Sequence, residues 1–214
     1  MVRTQTLSSD ETRQMILDAA EVLFLQVGYV KTTVADIAQA LGMSAANIYR
    51  FFPSKSAIND AGCRRLMARL RAEMRAIAAG PGSAGERIAA LVLSTHRRNR
   101  ELLTTERRVH DMVETAMAES WEAIEEHKAA CNVIFADLIG AGIAAGEFTA
   151  CDNVDAVAET VGQACCTLFH PTMIAQCARP DHGLNSGHPD ETPAHRLIWL
   201  VLEALRNPAR RPMP

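Results

Sequence analysis

Residues 32–55 read TTVADIAQALGMSAANIYRFFPSK, and this stretch decides the fold. Val34, Ile37, Ala38 and Leu41 recur at helical spacing and make one apolar face. Thr33 precedes them as an N-cap, because a threonine hydroxyl accepts a bond from the orphan N–H groups of a first turn. Gly42 stands just past the last periodic residue, where a left-handed backbone is wanted. Ser44 is placed to cap a second short helix, whose buried side is Ile48, Phe51 and Phe52. Pro53-Ser54-Lys55 opens a third, longer helix. Two short helices across a tight turn form a helix-turn-helix, which lays its second helix in the major groove of DNA.

Working outward, the flanking residues sharpen this reading. A preceding helix ends in Gly28-Tyr29. Then come the Thr-Thr-Val-x-x-Ile-Ala run at Thr32 to Ala38, Leu41-Gly42-Met43-Ser44, Ile48-Tyr49-x-Phe51-Phe52, and Pro53-Ser54-Lys55. In this order, residues 12 to 56 resemble the DNA-binding domain of the tetracycline-repressor (TetR) family of bacterial regulators. The resemblance covers about a quarter of the chain. It implies an all-α protein, not an enzyme. A three-helix helix-turn-helix DNA-binding domain at residues 1–56 would precede an antiparallel helical regulatory and dimerisation domain at 57–214. It also implies a cytoplasmic homodimeric repressor that leaves its operator when an effector binds.

Composition agrees with a helical, water-exposed chain. It is 48% hydrophobic over 214 residues, enough for one or two cores, but only 5% aromatic. No stretch alternates as a half-buried strand would, and apolar runs are broken by charge well short of a membrane span. The polar N-terminus gives no expectation of a leader. Cys63, Cys131, Cys151, Cys165, Cys166 and Cys177 show no framework spacing and read as reduced packing residues. The adjacent Cys165 and Cys166 point about 100° apart on a helix, so packing is favoured over a redox pair. Net charge is −3, but residues 1–75 hold ten Lys/Arg against seven Asp/Glu, and the remainder twelve against eighteen. The basic excess lies with the helix-turn-helix and is small, so phosphate contacts must come from placed residues.

Along the chain, Ser8 and Glu11 fit a capping box opening a helix to about Val27. The helix from Lys55 reaches about Ala79. Arg64, Arg65, Arg69, Arg71 and Arg75 lie on it and mostly read as a solvated face. Gly80-Pro81-Gly82 is the clearest break. Ser83 and Glu86 make a second capping box for a helix to about Asn99. Helices are expected from about Thr104 to Glu119, from Trp121 (capped by Ser120) to about Ala145, and from Asn153 (capped by Asp152) toward Gln176. Pro171 lies within the last of these and should kink or end it near Phe169. Residues 178–192 read as loop, and a final apolar-faced helix runs from Pro193 to Arg206. The last two helices suit a two-fold interface.

Candidate DNA contacts are Thr32, Thr33, Ser44, Ala45, Asn47, Tyr49, Arg50 and Lys55. Asn47 can bond base edges and Ala45 or Ala46 can meet a thymine methyl. These are few, so base readout leans on Arg50 or DNA shape. Tyr49 is a phosphate anchor by the resemblance. Lys55 and Thr32 or Thr33 stand at helix starts, where N–H groups already attract phosphate.

The regulatory half places polar groups beside apolar faces. His96 flanks one stripe; Glu106, His110, Val113, Glu114 and Met117 share a sector; Glu159, Gln163, Cys166 and His170 line another. His96, His110, Val113, Glu114, Met117, Cys166 and His170 are the candidate effector-binding set. Three readings stay open for it. His96, His110, Glu114 and His170 could hold zinc, nickel or iron; a small organic effector could sit among them; or the histidines serve packing alone. A helical metal-binding protein or enzyme, and an adaptor worked by a protein partner, are the rival functions. The enzyme would need repeated Glu-x-x-His motifs, which the sequence lacks.

Overall fold

The computed structural model describes residues 8–105, 121–169, 173–174 and 192–207. Among these residues there are eight helices and no strand. They are α1 (Ser9–Gln26), α2 (Val34–Ala40), α3 (Ala45–Tyr49), α4 (Lys55–Ala78), α5 (Ala84–Thr105), α6 (Trp121–Ala144), α7 (Val154–Phe169) and α8 (Pro193–Arg206). The chain divides into two compact units, parting within α4 between Met67 and Ala68 and within α6 between Ile124 and Glu125.

The first unit is built by local chemistry. Ser8 and Glu11 close a reciprocal capping box on α1, and Thr33 and Asp36 do the same on α2. The Asp36 half of that box is an addition to the sequence reading. After α1, Gly28 takes φ 102° and donates its N–H to the Phe24 carbonyl. Ile16, Leu17, Ala20 and Phe24 of α1 then meet Tyr29, Val34, Ile37, Ala38, Ile48, Phe52 and Ile58 in one core. Ile16, Ile37 and Ile48 are wholly excluded from solvent. At about 25 cal/mol per Å² of apolar area, each such side chain contributes roughly 2–3 kcal/mol of transfer free energy. Phe24 and Tyr29 pack edge to face, 5.1 Å between centroids.

Arg65 departs from the expected solvated face. Its guanidinium is 16% exposed and binds Gln14 at 3.2 Å, Asp18 and Glu21 of α1. Arg64 pairs with Asp60 one turn earlier at 3.0 Å. Arg69 and Arg75 do lie at the surface.

The second unit has a separate core. Ile88, Leu91 and Val92 of α5, Ile134, Phe135, Leu138 and Ile139 of α6, Ala158, Val161, Cys165 and Leu168 of α7, and Ala194 and Ile198 of α8 fill it, with Met74 from α4. Helices α5, α7 and α8 pack pairwise. Ser83 and Glu86 close the expected capping box on α5. Helix α5 continues to Thr105 rather than ending near Asn99, since no Gly or Pro interrupts it. The cap of α7 is Asn153, whose Oδ1 accepts the Ala156 N–H at 3.0 Å, and not Asp152. Both residue types cap well, and only the helix start one residue later separates them. Helix α7 is described as far as Phe169, and Pro171, expected to interrupt it, lies outside the described residues. The helix expected from Thr104 to Glu119 lies, from Glu106 on, outside the described residues, as do the Ser120 cap and most of 178–192.

Candidate nucleic-acid interface

The turn between α2 and α3 is a Schellman motif. Gly42 has φ 62° and donates its N–H to Gln39, while Met43 donates to the Ala38 carbonyl at 2.9 Å. Ser44 Oγ then accepts the Asn47 N–H at 3.2 Å and starts α3. Ile48 anchors α3 to the core. Opposite Ile48, Ser44, Ala46, Tyr49 and Arg50 are exposed; Ala45 and Asn47 are half-buried. Asn47 is turned back, its Nδ2 3.5 Å from Met43 Sδ. The tyrosine ring stands free of the core at 52% exposure.

Two of the expected phosphate contacts, Thr32 and Lys55, are engaged within the head itself. Thr32 is 1% exposed and its hydroxyl donates to the Gly28 carbonyl at 2.8 Å, so it closes the α1–α2 connection. Lys55 is also committed. Its ammonium donates to the carbonyls of Tyr29 at 2.9 Å and Thr32 at 3.0 Å, with Val30 at 3.4 Å, and lies 4.3 Å over the Tyr29 ring. A Lys carries three donors, and here backbone carbonyls occupy them. Thr33 is exposed but engaged: its hydroxyl donates to Asp36 at 2.8 Å while accepting from the Asp36 N–H. That network holds the Asp36 carboxyl below its ordinary pKa, through the Thr33 side-chain bond first and the Thr33 N–H second.

A residue absent from the sequence reading positions the aromatic pair. Arg13 of α1 donates to the Phe51 carbonyl at 2.8 Å and stacks 4.5 Å over the Phe52 ring. Nothing in the sequence near Phe51 points to a partner in α1.

Of the candidate effector residues, His96 and Cys166 are described; His110, Val113, Glu114, Met117 and His170 lie outside the described residues, with Glu106. His96 Nδ1 is 2.8 Å from the Leu168 carbonyl. A carbonyl only accepts, so Nδ1 carries the proton. Asn99 Nδ2 donates to the Phe169 carbonyl at 3.3 Å. Together they close the C-terminal carbonyls of α7 from α5. Burial lowers the His96 pKa, against the upward pull of the Leu168 bond. Cys166 faces solvent while Cys165 is fully buried, and burial pushes the Cys165 thiol up to about 12. The two adjacent thiols thus part as the helix geometry requires. Among the described residues, no three His, Cys, Asp or Glu side chains converge as a metal site.

Along α7 and α8 runs a shallow groove of about 390 Å³, walled by Ala156, Thr160, Ala164, Val201, Ala204 and Leu205. On α8, Trp199 and Leu200 are more than half exposed. Among the described residues no helix is long and apolar enough to cross a membrane.

A glycine-closed turn followed by a serine-capped helix with an exposed polar side defines a helix-turn-helix protein. Comparison with known proteins extends this. Residues 16–61 match the family described as "Bacterial regulatory proteins, tetR family", and residues 84–185 match "Tetracyclin repressor-like, C-terminal domain". The chain belongs to the TetR family of helix-turn-helix transcriptional regulators, a non-enzymatic family. It is 39% identical over 61 residues to the HTH-type transcriptional regulator TtgR of Pseudomonas putida, covering 28% of this chain and 29% of that protein. It is 35% identical over 104 residues to an uncharacterized HTH-type transcriptional regulator of Mycobacterium tuberculosis, covering 47% and 52%. The matches thus span about half or less of these relatives' lengths. In fold it resembles the transcriptional regulator FadR of Bacillus subtilis, solved in complex with stearoyl-CoA. The TM-score is 0.59 at 19% identity, over 92% of this chain and 99% of that one.

Proposed function

We propose that this protein is a cytoplasmic, homodimeric repressor that reads an operator through α3 and releases it when a small organic effector binds the C-terminal unit. The observation that carries the DNA half is the exposed row Ser44, Ala46, Tyr49 and Arg50, held rigidly by Ile48 beneath it. Arg50 supplies a bidentate donor for guanine or phosphate, Tyr49 a hydroxyl for phosphate, and Ala46 a methyl for thymine. Thr33, Ser44, Ala45 and Asn47 complete the contact surface. Lys55 and Thr32 support it from behind, one by clamping the Tyr29–Thr32 carbonyls and the other by closing the Gly28 turn.

Dimerisation through α7 and α8 is supported by the apolar groove along them and by the exposed Trp199 and Leu200. A two-fold pair of heads would address half-sites one or more DNA turns apart, ~34–36 Å. An organic effector is favoured over a metal at the predicted set. The FadR relative was solved with stearoyl-CoA. The mechanism is a population shift between head spacings.

The test is selection of binding sequences from a random DNA pool by the full chain, followed by footprinting. A two-fold symmetric site protected by wild type, and lost in Tyr49→Ala/Arg50→Ala, supports the reading. Recovery of no enriched sequence would refute it.

A further inference from the structure

Helices α4 and α6 face one another with a cluster that the DNA-reading function does not use. Arg71 and Met74 lie one turn apart on α4, His127 and Cys131 one turn apart on α6. Cys131 Sγ is 3.6 Å from His127 Nε2 and 3.7 Å from Met74 Sδ. Met74 is 3% exposed and also walls a small crevice of about 40 Å³ between α4 and α5. On the far side of the imidazole, Arg71 Nη1 donates to His127 Nδ1 at 3.3 Å.

Ligand spacing is the first argument. Metal bonds of about 2.0 Å to imidazole nitrogen and about 2.3 Å to sulfur, closed over these two separations, give angles near 110°. Each of the two pairs, thiol with thioether and thiol with imidazole, is thus spaced as two ligands of one ion would be. Ligand softness is the second argument. Thiolate with thioether selects copper(I) over the harder divalent ions. Charge is the third. One thiolate with one monovalent cation makes a neutral unit, suited to a partly buried place. A divalent ion would leave an uncompensated positive charge there.

We propose that Cys131, His127 and Met74 form a three-coordinate site for copper(I). On binding, the Cys131 thiol releases one proton and its sulfur takes the ion. Nδ1 accepts from Arg71, so Nε2 holds the imidazole proton. That proton transfers to Nδ1 through solvent as Arg71 swings away, and Nε2 becomes the ligand. No redox change occurs, and one proton leaves per ion bound. Arg71 therefore opposes binding, because it favours the wrong tautomer. The site is independent of the DNA-reading proposal.

The test is anaerobic copper(I) titration of the full chain against a chromophoric chelator, in a background where Cys151, Cys166 and Cys177 are Ser. One ion per chain is expected. Cys131→Ser should abolish it, His127→Ala and the volume-conserving Met74→Leu should each weaken it about tenfold or more, and Arg71→Ala should tighten it. X-ray absorption at the copper edge should show two sulfurs and one nitrogen, a reading that needs no variant to fold. Binding that ignores His127→Ala and Met74→Leu, or a copper shell with a single sulfur, would overturn the proposal.

Discussion

The two units differ in how many of their helix ends are closed from far along the chain. In the first, closing partners are three or four residues distant: Ser8 with Glu11, Thr33 with Asp36, Ser44 with Asn47, Gly28 with Phe24. In the second, partners come from far along the chain. His96 and Asn99 close the end of α7 from 72 and 70 positions away. Glu147 accepts from Ser83 and from the Gly85 N–H at the start of α5, 64 and 62 positions away. Thr149 binds the carbonyls of Leu205 and Arg206 at the end of α8. Local closure is present there too, by Ser83, Asn153 and Thr192 at helix starts and by Gly80, Gly146 and Asn207 at helix ends. A locally closed unit keeps its shape whatever the rest of the chain does, which suits a head that must present one surface to DNA. A unit stitched by long-range bonds is one whose helices can shift together when those bonds exchange, which suits the part proposed to sense a ligand.

The largest expected effect breaks the second unit at its centre. Phe135 is 1% exposed, and Phe135→Ala should cost about 3–5 kcal/mol, read by denaturant unfolding. Next comes the tight contact of Gly142, where an added Cβ would lie 2.2 Å from the Phe148 ring. Gly142→Ala should cost about 1–3 kcal/mol by the same measurement. In the head, Gly42→Val forces a branched residue into a left-handed backbone. It should cost about 1–2 kcal/mol and lower DNA affinity in a gel-shift titration, because the Schellman turn aims α3. Ser44→Ala, which removes a local cap, should cost about 1 kcal/mol. His96→Ala should cost a similar ~1 kcal/mol but raise hydrogen exchange at the end of α7 rather than in the head. The smallest effect concerns acid. Glu11 and Asp36 are held below the ordinary carboxylate range, Glu11 by the Ser8 N–H and then its hydroxyl, Asp36 by the Thr33 hydroxyl and then its N–H. Their stabilisation is present above the unfolded carboxylate pKa and is lost as pH falls through the folded one. Melting of the head should therefore soften on acidification, and less so in Asp36→Ala.

This contrast also explains what could be read from the residues alone. Ser8-x-x-Glu11, Thr33, Gly42 and Ser44 act on neighbours in sequence, so the head's helices and its turn were legible. So was the Ser83-x-x-Glu86 start of α5. Lys55 was not, because its geometry depends on carbonyls about two dozen residues earlier. Arg13 on the Phe51–Phe52 pair and Arg65 on α1 are hidden for the same reason. In the second unit His96 was marked as special from its place beside an apolar stripe, yet its partner on α7 carries no sequence signal. The His127–Cys131 pair shows the i, i+4 spacing that could have flagged it, but its facing residue Met74 is visible only once α4 and α6 are packed.

The central claim is that α3 presents the DNA-reading surface. The most direct measurement is fluorescence anisotropy of the full chain on its selected operator, comparing wild type with Tyr49→Ala/Arg50→Ala. Both side chains are exposed, so the fold and melting temperature should be unchanged, while affinity should fall about 30-fold or more for two lost contacts. Equal affinity in a folded variant would contradict the account.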